Sequence, residues 1–331
     1  MTEATNSLNK SLLRRYLEMI RFSHTVFALP FALLACVWAG VVPYPTTLAL
    51  ELTGGANTSP PTGDTSRLVW RVVGVLLCMV AARSAAMAFN RIVDARFDAR
   101  NPRTAGRHLV SGELTLRQAW LFFSAMVILF VAACTLFLPN WLPLAGSLPV
   151  LLWICGYSLA KRFTSAVHLW LGIALALSPI CAWVALRGEV VLQAPADALP
   201  AVGLALAIVV WVAGFDIIYA CQDAQFDRDA GLFSLPAQLG NLAALRVARY
   251  LHAAMLVILA SLPFLFPQLS LGILYGVGLL VVALLVARQH TIIRGQRAGE
   301  LNLARINEAF FQINAVLGFC FSAAAAVDAC C

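Results

Sequence analysis

The chain has 331 residues, 61% of them hydrophobic and only 12% charged, where a soluble domain carries roughly 25% charged residues. That leaves too little polar surface to cover a water-soluble globule, so the chain reads as an integral membrane protein in which the bilayer replaces a single buried core. The formal net charge of +7 would suit a nucleic-acid binder, but in so apolar a chain it reports topology, and no nucleic-acid partner is expected.

In chain order, the polar start MTEATNSLNKSLLRRYLEMIRF has no small-residue cleavage site and reads as a retained cytoplasmic arm over 1–21. Within it Leu12, Leu13, Tyr16, Leu17 and Ile20 allow two readings, an amphipathic helix on the membrane surface or a solvated lead-in. Nine apolar segments follow, near 22–42, 68–89, 118–138, 141–158, 166–186, 199–221, 247–266, 269–287 and 307–327, each close to the roughly 20 residues that cross a bilayer. They belong to one membrane domain covering 1–331. The first outer loop, 43–67, is rich in Pro, Gly, Thr and Ser and is expected to be flexible. A tight turn at Pro139 and Asn140 joins the third and fourth segments. Pro30, Pro149 and Pro179 inside segments either kink helices around a cavity or ease packing. The nine cysteines show no metal spacing, and most sit singly in apolar runs. Cys330 and Cys331 end the sequence without a prenylation motif and receive no role.

Basic residues set the orientation. With the N-terminus in the cytoplasm, nineteen of the 23 Lys and Arg fall on the inner side, Arg67, Arg71 and Arg187 stay outside, and Arg83 lies within a span. That is a positive-inside pattern. It points to a plasma membrane with the 90–107 and 216–229 regions in the cytoplasm.

Those two regions carry the chemistry. NRIVDARFDARNPRTAGR, residues 90–107, places Asn90, Asp94 and Asp98 at i, i+4 and i+8, one face of a helix. DIIYACQDAQFDRD, residues 216–229, places Asp216, Tyr219, Asp223 and Asp227 at i, i+3, i+7 and i+11, again read as one helical face. Each ends an apolar segment, and the two suggest halves of a duplicated site. Magnesium takes oxygen ligands and bridges a few carboxylates to substrate phosphates, so paired clusters fit a metal-bound diphosphate. The competing reading is that these carboxylates only pair with neighbouring arginines, which two clusters of matched spacing make harder to sustain. Asp216 weighs most, because an acid inside an apolar run is costly unless it has a function.

Tyr157 and Lys161 sit at i and i+4 at the inner end of the fourth segment. Lys161 either reaches a phosphate as a point charge or anchors the span. Arg103 and Arg107 either clamp phosphates or serve the positive-inside bias. Arg83, two turns deeper than Asn90 on the same face, wants an anion. Asp216 and the carboxylate of a substrate are equal candidates.

Taken together, these motifs resemble those of the UbiA superfamily of intramembrane prenyltransferases, most closely the 4-hydroxybenzoate polyprenyltransferases of ubiquinone and menaquinone pathways. The family pattern NDxxDxxxD is similar to Asn90, Asp94 and Asp98. Its second acidic motif is similar to Asp216, Tyr219, Asp223 and Asp227, its Tyr-xxx-Lys motif to Tyr157 and Lys161, its span-two arginine to Arg83, and RTAGRHLVSGEL, residues 103–114, has its look. The likeness runs from about Arg21 to the last span, with one departure, Arg91 where the pattern has Asp.

The resemblance implies an all-α fold of nine transmembrane helices around a central cavity open to lipid. It implies Mg²⁺-dependent transfer of a polyprenyl group from its diphosphate to an aromatic acid such as 4-hydroxybenzoate, or alternatively to a dihydroxynaphthoate. Asn90, Asp94, Asp98, Asp223 and Asp227 would hold metal; Lys161, Arg103, Arg107 and Tyr157 the diphosphate; Arg83, Asp216 and Tyr219 the acceptor; and Asp216, Asp94 and Asp223 would carry catalysis. Tyr219 and Tyr157 would offer an aromatic face to an allylic cation, or only pack. A haem farnesyltransferase or chlorophyll synthase of the same superfamily is a near rival. A transporter is the rival from another class, disfavoured because the acids cluster at one end of two helices. No protein partner is inferable.

Overall fold

A computed structural model describes residues 11–20, 27–43, 65–293 and 305–331. Among the described residues every regular element is a helix, and there is no strand. Twelve α-helices occur in the order α1 Leu12–Met19, α2 Leu29–Val41, α3 Thr65–Asp98, α4 Leu116–Cys134, α5 Leu142–Ala160, α6 Val167–Gln193, α7 Leu199–Ala220, α8 Ala224–Asp229, α9 Leu235–Leu239, α10 Asn241–Leu265, α11 Ile273–Ile292 and α12 Asn314–Cys330. A π-helical turn, Glu308–Ile313, leads into α12.

Among the described residues, eight helical stretches are long and apolar enough to cross a membrane, the last of them counting α12 together with the π-helical turn from Phe310. The first predicted span is the shorter α2, whose expected beginning lies outside the described residues. The predicted loop at 43–67 and the arm before residue 11 also lie largely outside them. α1 places Tyr16 in a stack on Phe122 with ring centroids 4.7 Å apart, and buries Met19 and Ile20, while Leu12, Leu13 and Leu17 stay exposed.

α7 is the central post. It buries Leu204, Ile208, Trp211, Val212 and Phe215 against α2, α6 and α10. Close approach to α6 depends on Gly172, where an added Cβ would lie 3.1 Å from the Val209 Cα and closer still to its carbonyl oxygen. Small residues at helix crossings suit a bilayer, where lipid is as apolar as Leu and close backbone packing holds helices together. Peripheral helices show the converse. Leu121 and Ile128 on α4, Leu148 and Leu152 on α5 and Phe264 on α10 are exposed, the arrangement expected of lipid-facing surface.

At one end of α6 the buried Arg187 pairs with Asp197, Nη2 to Oδ1 at 2.6 Å and Nε to Oδ2 at 2.8 Å, and also donates to the carbonyls of Ala39 and Val42. The helix leaves regular geometry at Arg187. Pro149 and Pro179 are inside α5 and α6, as read from the sequence, but Pro30 is not within a helix interior. It occupies the first turn of α2, where a missing N–H costs nothing. All nine cysteines are free, but Cys78 and Cys134 do not sit singly: their Sγ atoms are 3.9 Å apart.

Candidate active site

α3 runs well past the length needed to span and carries Asn90, Asp94 and Asp98 on its extension, so the expected face is real. A relay of hydrogen bonds orders it. Arg91 donates to the Met19 carbonyl at 3.3 Å and to Asn90 Oδ1 at 3.1 Å, and Asn90 Nδ2 donates to Asp94 Oδ2 at 2.8 Å. Arg91, the departure from the family pattern, thus fixes the amide of Asn90 from behind. Asp98 takes both carboxylate contacts from Arg107 Nη1, at 2.5 and 2.6 Å. The turns after α3 end in a capping box at Thr115 and Gln118 that starts α4.

The second motif departs from its expected geometry. α7 stops at Ala220, and Asp223 occupies the N-cap position of the short α8, which contains Asp227. Asp216, Tyr219, Asp223 and Asp227 therefore do not share one continuous helical face. The break sets α8 so that Asp227 meets Lys161, Nζ to Oδ2 at 3.2 Å. Beyond α8 the chain turns at Gly231, φ +69°, a conformation that favours glycine. That turn delivers the Phe233 N–H to the Lys161 carbonyl at 2.7 Å.

The two acidic motifs are joined by the loop after α3. Asn101 Nδ2 and Arg103 Nε both donate to Asp223 Oδ1, at 3.1 and 2.8 Å, and Arg103 Nη2 pairs with Asp223 Oδ2. Arg103 Nη1 also donates to the Tyr219 hydroxyl at 2.9 Å. Burial opposes ionisation of Asp223, but the hydrogen bonds and charge of Arg103, with Asn101 and Lys161 behind them, outweigh it and hold the carboxyl below the usual carboxylate range. Burial likewise opposes the charge on Arg103, and the bonds to Asp223 and Tyr219 more than offset it and raise its pKa. The pairing of these carboxylates with neighbouring cations, one of the two readings open from the sequence, is what the structure displays. Among the described residues no three His, Cys, Asp or Glu converge as a metal cage.

Two chambers meet here. The polar one, about 160 Å³, is lined by Asn90, Asp94, Asp98, Asp223 and Asp227 together with Arg103, Arg107 and Lys161. The apolar one, about 560 Å³, runs between α3, α5 and α6 past Met79, Ala86, Ile154 and Leu175 and holds Arg83. Asn90, Arg107, Tyr157, Asp216 and Tyr219 line both and form the seam. Every site residue read from the sequence thus lines one chamber or the other. Arg83 and Asp216 are not partners, however. Asp216 Oδ2 is 2.7 Å from His168 Nδ1, whereas Arg83 Nε is buried with no hydrogen-bond partner, and no ion pair involving Arg83 occurs among the described residues. The Tyr219 ring packs on Phe310, centroids 4.3 Å apart, with the Arg103 guanidinium 5.3 Å from its centre, and still lines both chambers.

His168 and Asn101 were missed in the sequence. His168 had a readable signal, an ionisable residue in an apolar segment. Asn101 had none beyond its place among the arginines.

Asn90, Asp94, Asp98, Asp223 and Asp227, oxygen-bearing side chains around one polar chamber, suit Mg²⁺, which binds through one or two carboxylates plus substrate phosphates instead of an all-protein cage. Residues 42–315 match the model of the UbiA prenyltransferase family. A protein named 4-hydroxybenzoate octaprenyltransferase from Francisella tularensis subsp. novicida is 31% identical over 245 residues, 74% of each chain. The apo structure of a UbiA homologue from Aeropyrum pernix K1 superposes with a TM-score of 0.72 at 30% identity, covering 92% of this chain and 98% of that one. A UbiA homologue from Archaeoglobus fulgidus, bound to GPP and Mg²⁺, shares the fold with a TM-score of 0.60 at 21% identity, over 95% of this chain and 99% of that one.

Proposed function

Because the chain belongs to the UbiA prenyltransferase family, and is an integral-membrane prenyltransferase, we infer that its two chambers join a polyprenyl diphosphate to a hydroxylated aromatic acid such as 4-hydroxybenzoate. The observation that carries this reading is Arg83, half-buried on the wall of the larger, mainly apolar chamber, with its Nε buried and without a hydrogen-bond partner. A cation held away from water calls for an anion, and of the two candidates open from the sequence, Asp216 is bonded to His168. A carboxylate on the acceptor is the remaining partner of the right charge.

The diphosphate belongs in the polar chamber. Lys161, Arg103 and Arg107 lie there, each bonded to a carboxylate that a phosphate can replace. Asn90, Asp94, Asp98, Asp223 and Asp227 would hold Mg²⁺, which when bound neutralises the diphosphate and favours its departure. The prenyl tail, as apolar as lipid, belongs in the larger chamber, with its first carbon at the seam. Arg83 would fix the acceptor carboxylate there and orient the ring. As the allylic carbon–oxygen bond breaks and diphosphate leaves, a ring carbon beside the hydroxyl forms the new carbon–carbon bond. The ring then loses its proton, which we assign to Asp216 because its carboxylate lines both chambers.

The test is product mass spectrometry with purified protein, Mg²⁺, polyprenyl diphosphates and a panel of acceptors. The panel contains 4-hydroxybenzoate, a dihydroxynaphthoate and their decarboxylated analogues. Prenylated aromatic acid with stoichiometric diphosphate release supports the reading. Turnover of neither acid would overturn it.

A further inference from the structure

Outside the residues already assigned, one buried ionisable group reaches the seam. His168, at the start of α6, is 1% exposed. Its Nδ1 lies 2.7 Å from Asp216 Oδ2, and its Nε2 lies 3.3 Å from the backbone nitrogen of Leu235. The Leu235 N–H can only donate, so Nε2 is the acceptor, Nδ1 carries the proton, and the imidazole is neutral. Asp216 Oδ2 therefore accepts from His168. Asp216 Oδ1 has no hydrogen-bond partner among the described residues, on a side chain that is 13% exposed and lines both chambers.

Leu235 opens α9, directly after the loop that presents Asp227 to Lys161 and bonds Phe233 N–H to the Lys161 carbonyl. Ser234, fully buried, caps the same helix through the Ala237 N–H at 3.3 Å. The histidine thus has one hand on the seam carboxylate and the other on the backbone that ends the diphosphate-side loop.

We propose that His168 is a positioning residue for the transfer reaction: it donates to one oxygen of Asp216, holds the other towards the acceptor ring, and takes its own register from the loop carrying Asp223 and Asp227. Asp216 is thereby kept as an acceptor with one free oxygen, the form able to take the ring proton. This rests on the reading above that the acceptor meets Asp216 at the seam. His168 does not take the proton itself, because its Nδ1 is already protonated and its Nε2 is engaged by Leu235.

The two contacts can be separated by side-chain reach. An asparagine amide nitrogen falls near the position of histidine Nδ1, and a glutamine amide oxygen near that of Nε2. H168N thus keeps the bond to Asp216 and gives up Leu235, H168Q does the reverse, and H168F keeps the ring volume with neither bond. Full-length variants are compared in the same detergent by kcat, by KM for each substrate and by melting temperature. The expected result is a kcat about 10- to 100-fold lower in H168Q and H168F, the usual effect of removing an outer partner of a working group. H168N, which keeps the Asp216 bond but loses the contact that sets its register, should lose less than H168Q, and KM for the prenyl diphosphate should be unchanged in all three.

Retained kcat in H168Q with loss in H168N would show that His168 only braces the loop, and would overturn the proposal. So would equal activity in all variants, or losses that track melting temperature. If H168F does not fold, the contrast between H168N and H168Q decides. A wild type that prenylates no aromatic acid would instead overturn the underlying function, so the two failures are distinguishable.

Discussion

Replacing Arg83 with alanine separates acceptor recognition from architecture. Arg83 contributes no ion pair among the described residues, its Nε is buried and unbonded, and Asp216 keeps His168 when the guanidinium is gone. Removal therefore strands no carboxylate, and the melting temperature should hold or rise, since an uncompensated buried charge is itself destabilising. If the guanidinium binds the acceptor carboxylate, the variant loses a charge-assisted pair of roughly 1.5–3 kcal/mol. At about 1.4 kcal/mol per tenfold, the acceptor KM should rise by one to two decades. KM for the prenyl diphosphate should scarcely move, because the cations of the polar chamber, Lys161, Arg103 and Arg107, are untouched. Arg83→Lys should recover part of the loss, since an ammonium restores charge without the planar fork. The assay is initial-rate kinetics with each substrate varied in turn, repeated with a decarboxylated phenol. That acceptor has nothing for the arginine to hold, so wild type and variant should turn it over alike. A folded Arg83→Ala protein with an unchanged acceptor KM would refute the reasoning and remove Arg83 from the site.

Asp94→Asn and Asp223→Asn each keep shape and remove a charge from the polar chamber, and each should lower kcat by roughly 10²–10³, the scale of losing one electrostatic stabiliser. EDTA should abolish turnover and weaken prenyl-diphosphate binding measured by calorimetry; full binding in chelator would count against the metal. Asp223 has a depressed folded carboxyl pKa, so its pair with Arg103 contributes stability that is present above the unfolded value, about 3.9, and is lost as pH falls through the folded one. The gap in melting temperature between wild type and Asp223→Asn should accordingly be constant at neutral pH and close below roughly pH 4; a gap that closes with rising pH would contradict the assignment. For orientation, Arg100 is exposed beside the buried Asn101, so a single cysteine at 100 in a Cys-free protein should label from the cytoplasmic side. Outer-side labelling would invert the topology.

Much of this protein was legible in one dimension. Low charge and repeated apolar segments specify a bundle of membrane helices, because every backbone group in lipid must be satisfied within its own helix. Asn90, Asp94 and Asp98 could be placed on one face because α3 stays helical through all three, and helical spacing is a local property. The same arithmetic failed for Asp216 to Asp227, where the chain turns after Ala220 and hands Asp223 and Asp227 to partners on other segments. Arg91 stands in the sequence only as a departure from the family pattern; its role as the brace of Asn90 depends on the Met19 carbonyl from α1. Arg83 had two candidate partners in the sequence, Asp216 and a substrate carboxylate, and Asp216 is bonded to His168 instead. Opposite charge is visible in a sequence, but the choice between Arg83 and His168 depends on which helix lies across the seam, and only the packing of α6 against α7 decides that.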